Sequence, residues 1–230
     1  MPKDFLLALV CSLGACAAPS APKARFAHTF VFLRSGPERA KYQGEALQEL
    51  MNGHMANIGR LASEHELYVA GPFGKPSPTP ELRGLFVFAT GDVERARELT
   101  ASDPSVAAGV FECEVVPWST DKDLHGVHRR DMEFEARRKA DPSIEMTQGM
   151  SSYVAIFAED AALASKALSA LRKDGRIAVE GRFGGERLGQ GLYVLDTRDA
   201  TAAEALLAPV KAALGPCTIV PWWGSAELSK

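Results

Sequence analysis

The hydrophobic positions of this chain change period several times, and each change marks an element. Phe26 to Leu33 is rich in β-favouring residues. Glu45 to Ala62 carries apolar side chains at Leu47, Leu50, Met51, Met55, Ile58 and Leu61, the spacing of one helical face. Strand signals follow at Leu67 to Ala70 and Leu85 to Ala89. Asp92 then opens a second helix as N-cap, with Val93, Ala96 and Leu99 turned inward. From Val110 to Val116 the pattern alternates, with Val110, Glu112, Glu114 and Val116 on one face and Phe111, Cys113 and Val115 on the other. The predicted order is β-α-β-β-α-β.

The second part of the chain echoes the first. Gly84-Leu85-Phe86-Val87-Phe88-Ala89-Thr90-Gly91-Asp92 aligns without a gap against Gly191-Leu192-Tyr193-Val194-Leu195-Asp196-Thr197-Arg198-Asp199. Leu67 to Gly74 matches Ile177 to Gly184, and Cys113-Glu114-Val115-Val116-Pro117-Trp118 matches Cys217-Thr218-Ile219-Val220-Pro221-Trp222. Three matches in one order predict a duplication over residues 26–118 and 151–224. Ser119 to Met150 joins the halves; it is strongly charged, with a short helix expected near Arg129 to Lys139, and reads as a solvated linker or surface arm. Residues 225–230 read as a C-terminal tail. The fold class expected is α+β, two ferredoxin-like units whose sheets pack face to face within one chain, an internal pseudo-dimer in a monomer.

Composition narrows the picture mainly by exclusion. With 46% hydrophobic and 24% charged residues among 230, pervasive disorder and a multi-span membrane protein are excluded. A formal net charge of -3 supplies no basic excess for nucleic acid. The four cysteines, Cys11, Cys16, Cys113 and Cys217, form no CxxC pair of metal-ligand spacing. The apolar run Phe5 to Leu13 is too short to span a bilayer and reads as the core of an export signal over residues 1–16. Its end, Leu13-Gly14-Ala15-Cys16, resembles a bacterial lipobox, which makes Cys16 the lipid-bearing residue, followed by a flexible tether over 17–25. The expectation is an envelope lipoprotein facing the periplasm; Ala15-Cys16-Ala17 also fits cleavage for ordinary secretion.

Several segments together resemble the YCII-related (YciI-like) domain: His54-Met55, Val69-Ala70-Gly71-Pro72-Phe73, and Ser102-Asp103-Pro104-Ser105-Val106-Ala107-Ala108-Gly109-Val110 running into Val115-Val116-Pro117-Trp118. The resemblance covers most of 26–118 and reaches 151–224 only through the repeat. It implies a dimeric α+β barrel, assembled here within one chain, and enzymatic work for a histidine and an aspartate at the positions of His54 and Asp103. The family's activity is mostly undefined, apart from members tied to dechlorination of chlorinated hydroxyquinols.

The residues can be weighed without the resemblance. His54 lies four after Leu50 and four before Ile58, on the apolar side of its helix, where a carboxylate could orient it as general base or acid; the alternative is a buried histidine bonded to a backbone carbonyl. Asp103 before Pro104 is equally a helix N-cap. In the repeat, alanines (Ala164 and Ala208) stand at both counted positions, so the fold does not demand either residue. His28 and Arg34, matched by Ser152 and Ala158, are candidates to line an inter-sheet cavity, with Arg34 meeting an anionic group or simply solvated. His125 and His128 have i, i+3 spacing but no third ligand, so solvated histidines and no metal are expected; His65 reads as exposed in a turn. Cys113 and Cys217 occupy equivalent strands, as small buried hydrophobes or a disulfide pair. No cofactor motif is visible. Three functions fit: an acid-base enzyme acting on a small organic molecule in the inter-sheet cavity, a ligand-binding domain of the envelope, or an accessory lipoprotein.

Overall fold

The first strand, β1 (Phe26–Ser35), is buried on both faces. Successive side chains of a strand point to opposite sides, so Phe30 and Phe32 enter one core while Val31 and Leu33 enter another. The computed structural model, which describes residues 26–75, 77–197 and 200–230, shows what each face meets. Cys16, the export segment and the tether lie outside the described residues.

After β1 come α1 (Gly44–Ser63), β2 (Leu67–Pro72), β3 (Leu82–Phe88), α2 (Val93–Ala101), α3 (Pro104–Ala107) and β4 (Phe111–Thr120). Helix α4 (Leu124–Ala140) leads to β5 (Met150–Ala158), α5 (Ala161–Ala167), α6 (Ser169–Lys173), β6 (Ile177–Phe183), β7 (Gly191–Asp196), α7 (Ala200–Leu207) and β8 (Cys217–Ser225). The fold is mixed α+β with one antiparallel sheet of eight strands, ordered β2-β3-β1-β4-β6-β7-β5-β8. The sheet nearly closes into a barrel, because Phe73 bridges to Trp222 and Gly74 N–H donates to Pro221 O at 2.8 Å. At the other seam, β4 pairs with β6 over Trp118 to Thr120, and Gly184 N–H donates to Pro117 O at 2.9 Å. Among the described residues no helix is long and apolar enough to cross a membrane.

Both seams depend on glycine. A Cβ on Gly181 would lie 2.3 Å from the Trp118 indole, and one on Gly71 would lie 1.9 Å from Trp223 O and 2.8 Å from Trp222 Nε1. Each indole therefore occupies space that only a glycine of the opposite half leaves open.

The barrel interior is filled. Phe30 packs edge-on against Phe183 at 5.3 Å between centroids and Phe32 against Phe157 at 5.2 Å, and the void among the surrounding side chains is only about 20 Å³, room for about one water. This overturns the expected inter-sheet cavity: β1 spends its inward positions on phenylalanine, and aromatic rings from β5 and β6 meet them. One barrel end is stoppered by Leu124 and Val127 of α4 and by Leu228, all buried. Only the start of the joining helix, Leu124 to His128, enters the core, while its later turns stay exposed or half-buried, and the C-terminal tail contributes Leu228. At the other end Arg187 lies 4.5 Å over the Phe32 ring and pairs with Glu114 at 2.8 Å.

Helix α1 lies on the outer face of the sheet, where its inward stripe includes His54 and Leu61, while Met55 is 52% exposed. Asp92 caps α2 as expected, its carboxylate accepting from Glu94 N–H and Arg95 N–H.

The stopper helix carries a pH-dependent group. Burial pushes the Asp131 carboxyl up to about 6, the nearby Glu227 and Glu135 add to this, and the Ser225 hydroxyl and Arg130 oppose it. Between its ordinary value and about pH 6 the folded chain holds a proton that the unfolded chain has released, so this group's stabilisation is lost as pH rises through 6. Asp131→Asn, which can still accept from Ser225 Oγ, should raise stability by about 1–3 kcal/mol at pH 7.5 and by much less at pH 4. Urea titrations at the two pH values measure the difference.

Candidate active site

Two of the predicted site residues, His54 and Asp103, meet outside the barrel, between the helices and the sheet. His54 replaces a hydrophobe in the buried stripe of α1 and packs against Phe86 of β3 and Phe111 of β4, at 5.9 Å and 5.1 Å between ring centroids. Gly53 lets α1 approach α3 closely, since a Cβ there would already be 3.2 Å from Pro104 Cγ. That approach brings Asp103, which is 0% exposed, to His54: Oδ2 lies 2.6 Å from Nδ1.

Asp103 makes two contacts through one side chain. Its Oδ1 accepts the Ser105 N–H at 2.8 Å, capping α3, while Oδ2 takes the imidazole. Ser105 Oγ in turn donates to Leu50 O at 3.0 Å, tying α3 to α1. A carboxylate can only accept, so Nδ1 carries the proton toward Asp103 and the lone pair of the neutral ring sits on Nε2. Nε2 has no hydrogen-bond partner among the described residues, and the imidazole side chain keeps 9% exposure. Such an arrangement can take a proton at Nε2 and return it.

Cys113 lies nearby on β4 and is no nucleophile in this state. Burial, then the charges of Asp103 and Glu112, push its thiol up to about 12. A groove of about 620 Å³ runs along β4, lined by Cys113, Val106, Phe111, Arg97 and the Gly185–Glu186 turn. Phe111 belongs both to this groove and to the surroundings of His54; His54 and Asp103 themselves do not line it.

The other predicted residues do not join the pair. His28 and Arg34 occupy inward positions of β1, six residues and thus roughly 20 Å apart, on the opposite face of the sheet from His54. The expectation of one shared cavity fails because the buried side of a helix faces the outside of the sheet, not the lumen. His28 Nδ1 donates to Phe88 O at 3.2 Å, and burial pushes its pKa down. Arg34 lies 3.4 Å from Glu114. The ladder also corrects the sequence alignment by one residue: Tyr153, not Ser152, pairs with Trp222 as His28 pairs with Trp118.

His128 is buried rather than solvated, stacked on Tyr68 with its Nε2 3.1 Å from exposed His65 Nδ1. No group of three metal-ligating side chains converges among the described residues. Cys113 and Cys217 are free thiols packed against separate outer cores. Ser105 and Phe111 escape the sequence reading as site residues; Ser105 has a signal, two residues after an Asp-Pro cap, whereas Phe111 reads as ordinary core.

Replacing Asp103 separates its roles. Asp103→Ala should lower stability by about 1–2 kcal/mol through loss of the cap and release the His54 tautomer, whereas Asp103→Asn should retain most of the cap. Imidazole 15N shifts check this: the wild type should show His54 protonated at Nδ1, and Asp103→Ala a shift toward Nε2–H.

Comparison with known proteins adds three findings. The sequence pattern of the YCII-related domain matches residues 29–119. The uncharacterized protein YjpA of Bacillus subtilis (strain 168) is 32% identical over 75 residues, covering 33% of this chain and 82% of YjpA. A crystal structure of a Lactobacillus acidophilus NCFM protein, provisionally described as a monooxygenase, superposes over 86% of this chain and 93% of its own with a TM-score of 0.45 and 9% identity.

Proposed function

The chain belongs to the YCII-related family through residues 29–119, and from that premise we propose that it is an enzyme performing general acid-base chemistry on a small organic molecule at His54. In this reading His54 Nε2 removes a proton from the substrate and later returns it. Asp103 holds the ring in the required tautomer and steadies the imidazolium formed in between. The observation that carries the reading is the division of labour in Asp103, one oxygen on the Ser105 N–H and the other on His54 Nδ1 at 2.6 Å, which leaves Nε2 as the unpartnered nitrogen. The site is the outer face of the first half; the filled lumen offers no room for a substrate.

Residues 151–224 are read as a second, degenerate YCII-like copy, each half a ferredoxin-like unit and the whole an internal pseudo-dimer. Supporting this, β1 pairs with β3 and β4 just as β5 pairs with β7 and β8, and the Trp-Gly contact occurs at both seams. The alanines at the counted positions, Ala164 and Ala208, leave acid-base chemistry to the first copy. A second reading, an accessory lipoprotein without turnover, draws on the capping role of Asp103, which accounts for its burial without catalysis.

Hydrogen-deuterium exchange at acidic C–H bonds provides a test that works with an unidentified substrate. A panel of small carbonyl compounds and organic acids incubated in D2O with the full chain should contain a member whose exchange falls roughly 10²–10⁴-fold with His54→Gln. Exchange that survives this substitution, or no exchange with any member, would favour the accessory reading. The export proposal rests on the Leu13-Gly14-Ala15-Cys16 lipobox, which would hold the protein at the envelope by a lipid on Cys16. Metabolic labelling with a lipid precursor should mark the wild type and not Cys16→Ser; equal labelling would refute the anchor.

A further inference from the structure

Arg39 stands on the short turn between β1 and α1, in a one-turn 3-10 segment covering Arg39–Lys41. Its guanidinium lies 6.0 Å from the centroid of the Phe111 ring, the same ring that His54 contacts at 5.1 Å. Arg39 Nη1 is buried without a hydrogen-bond partner, the one arginine nitrogen in that condition among the described residues. Its acidic neighbour Glu38 is taken by Lys41. A guanidinium nitrogen withdrawn from water and given no acceptor is costly unless a ligand arrives to accept from it.

We infer that Arg39 is the anion-binding residue of the His54 site and that the ligand is a small carboxylate with an apolar body. A guanidinium presents paired N–H donors that match the two oxygens of a carboxylate, and one such group balances one negative charge. Phe111 lies beside both the cation and the imidazole and, though only 6% exposed, lines the groove along β4, so an apolar ligand body seated in that groove touches the exposed part of its ring while the carboxylate meets Arg39. The loop is held in position by backbone bonds from Gly36 N–H to Val110 O and from Glu38 N–H to Gly109 O, so the arginine sits on a segment fastened to the start of β4. Close packing reinforces this, since a Cβ on Gly36 would be 2.2 Å from Gly109 O. This inference rests on the acid-base reading for what happens to the ligand, but not for its binding: Arg39 selects and orients, and His54 reacts.

Binding can be tested apart from turnover. The full chain is titrated with benzoate and with benzamide, its neutral analogue, by calorimetry and by following the His54 ring 15N shifts. Benzoate should bind at least tenfold more tightly than benzamide and should move the His54 signals. Arg39→Met should weaken benzoate about tenfold or more, and Arg39→Lys less, because the charge is kept while the paired donors are lost. Thermal melts of the two variants establish that each is folded. His54→Gln should bind benzoate within about threefold of wild type, so loss of turnover there with retained binding leaves the arginine's role standing. Equal binding of benzoate and benzamide, wild-type affinity in Arg39→Met, or no benzoate binding at 10-fold molar excess over millimolar protein would each overturn the inference.

Discussion

Trp118 and Trp222 each fit against a glycine of the opposite half, Gly181 and Gly71, where any larger residue would collide with the indole or with the backbone beside it. The indoles are large apolar surfaces, only 3% and 2% exposed, and burying one is worth a few kcal/mol. Because they cross the seams in opposite directions, neither half can bury its own tryptophan alone. The backbone bonds from Gly184 to Pro117 and from Gly74 to Pro221 run beside these contacts, so the same few residues set strand pairing and core packing. The eight-stranded sheet closes as far as it does because of this exchange.

Closure has a consequence for chemistry. Once the single sheet curls so that Phe30, Phe32, Phe157 and Phe183 meet inside it, the lumen is a packed core whose void is only about 20 Å³. The stopper at one end is built from α4 and Leu228, and the Arg187-Glu114 pair stands at the other. On the outer face, α1 and α3 meet β3 and β4. There the close approach at Gly53 holds Asp103 and His54 together, with the Ser105 hydroxyl joining the two helices. The position of the imidazole, and which of its nitrogens faces Asp103, follow from that packing.

Much of this architecture is legible in the amino-acid sequence. The alternation of β4, the helical stripe of α1 and the Asp92 cap all follow from local rules, and the matched Gly71 and Gly181 mark the seams without saying why glycine is needed. The pairing of His54 with Asp103 is legible as two residue types in suitable places. Its location is not, because periodicity says which side of a helix is buried but not which layer covers it. The stopper is hidden for a related reason: only Leu124 and Val127 are apolar where α4 enters the barrel, and the charges of the following turns dominate the pattern. Arg39 carries no sequence signal at all, since its meaning comes from Phe111, which lies far along the chain.

The exchanged tryptophans make the two halves one interlocked barrel rather than two independent units. Native-state hydrogen exchange measures this most directly, by comparing the slowest amides of β3 in the first half with those of β7 in the second. The interlock predicts one shared opening free energy for both strands, equal to that of global unfolding by urea. Distinct free energies, with either half opening while the other stays protected, would contradict it.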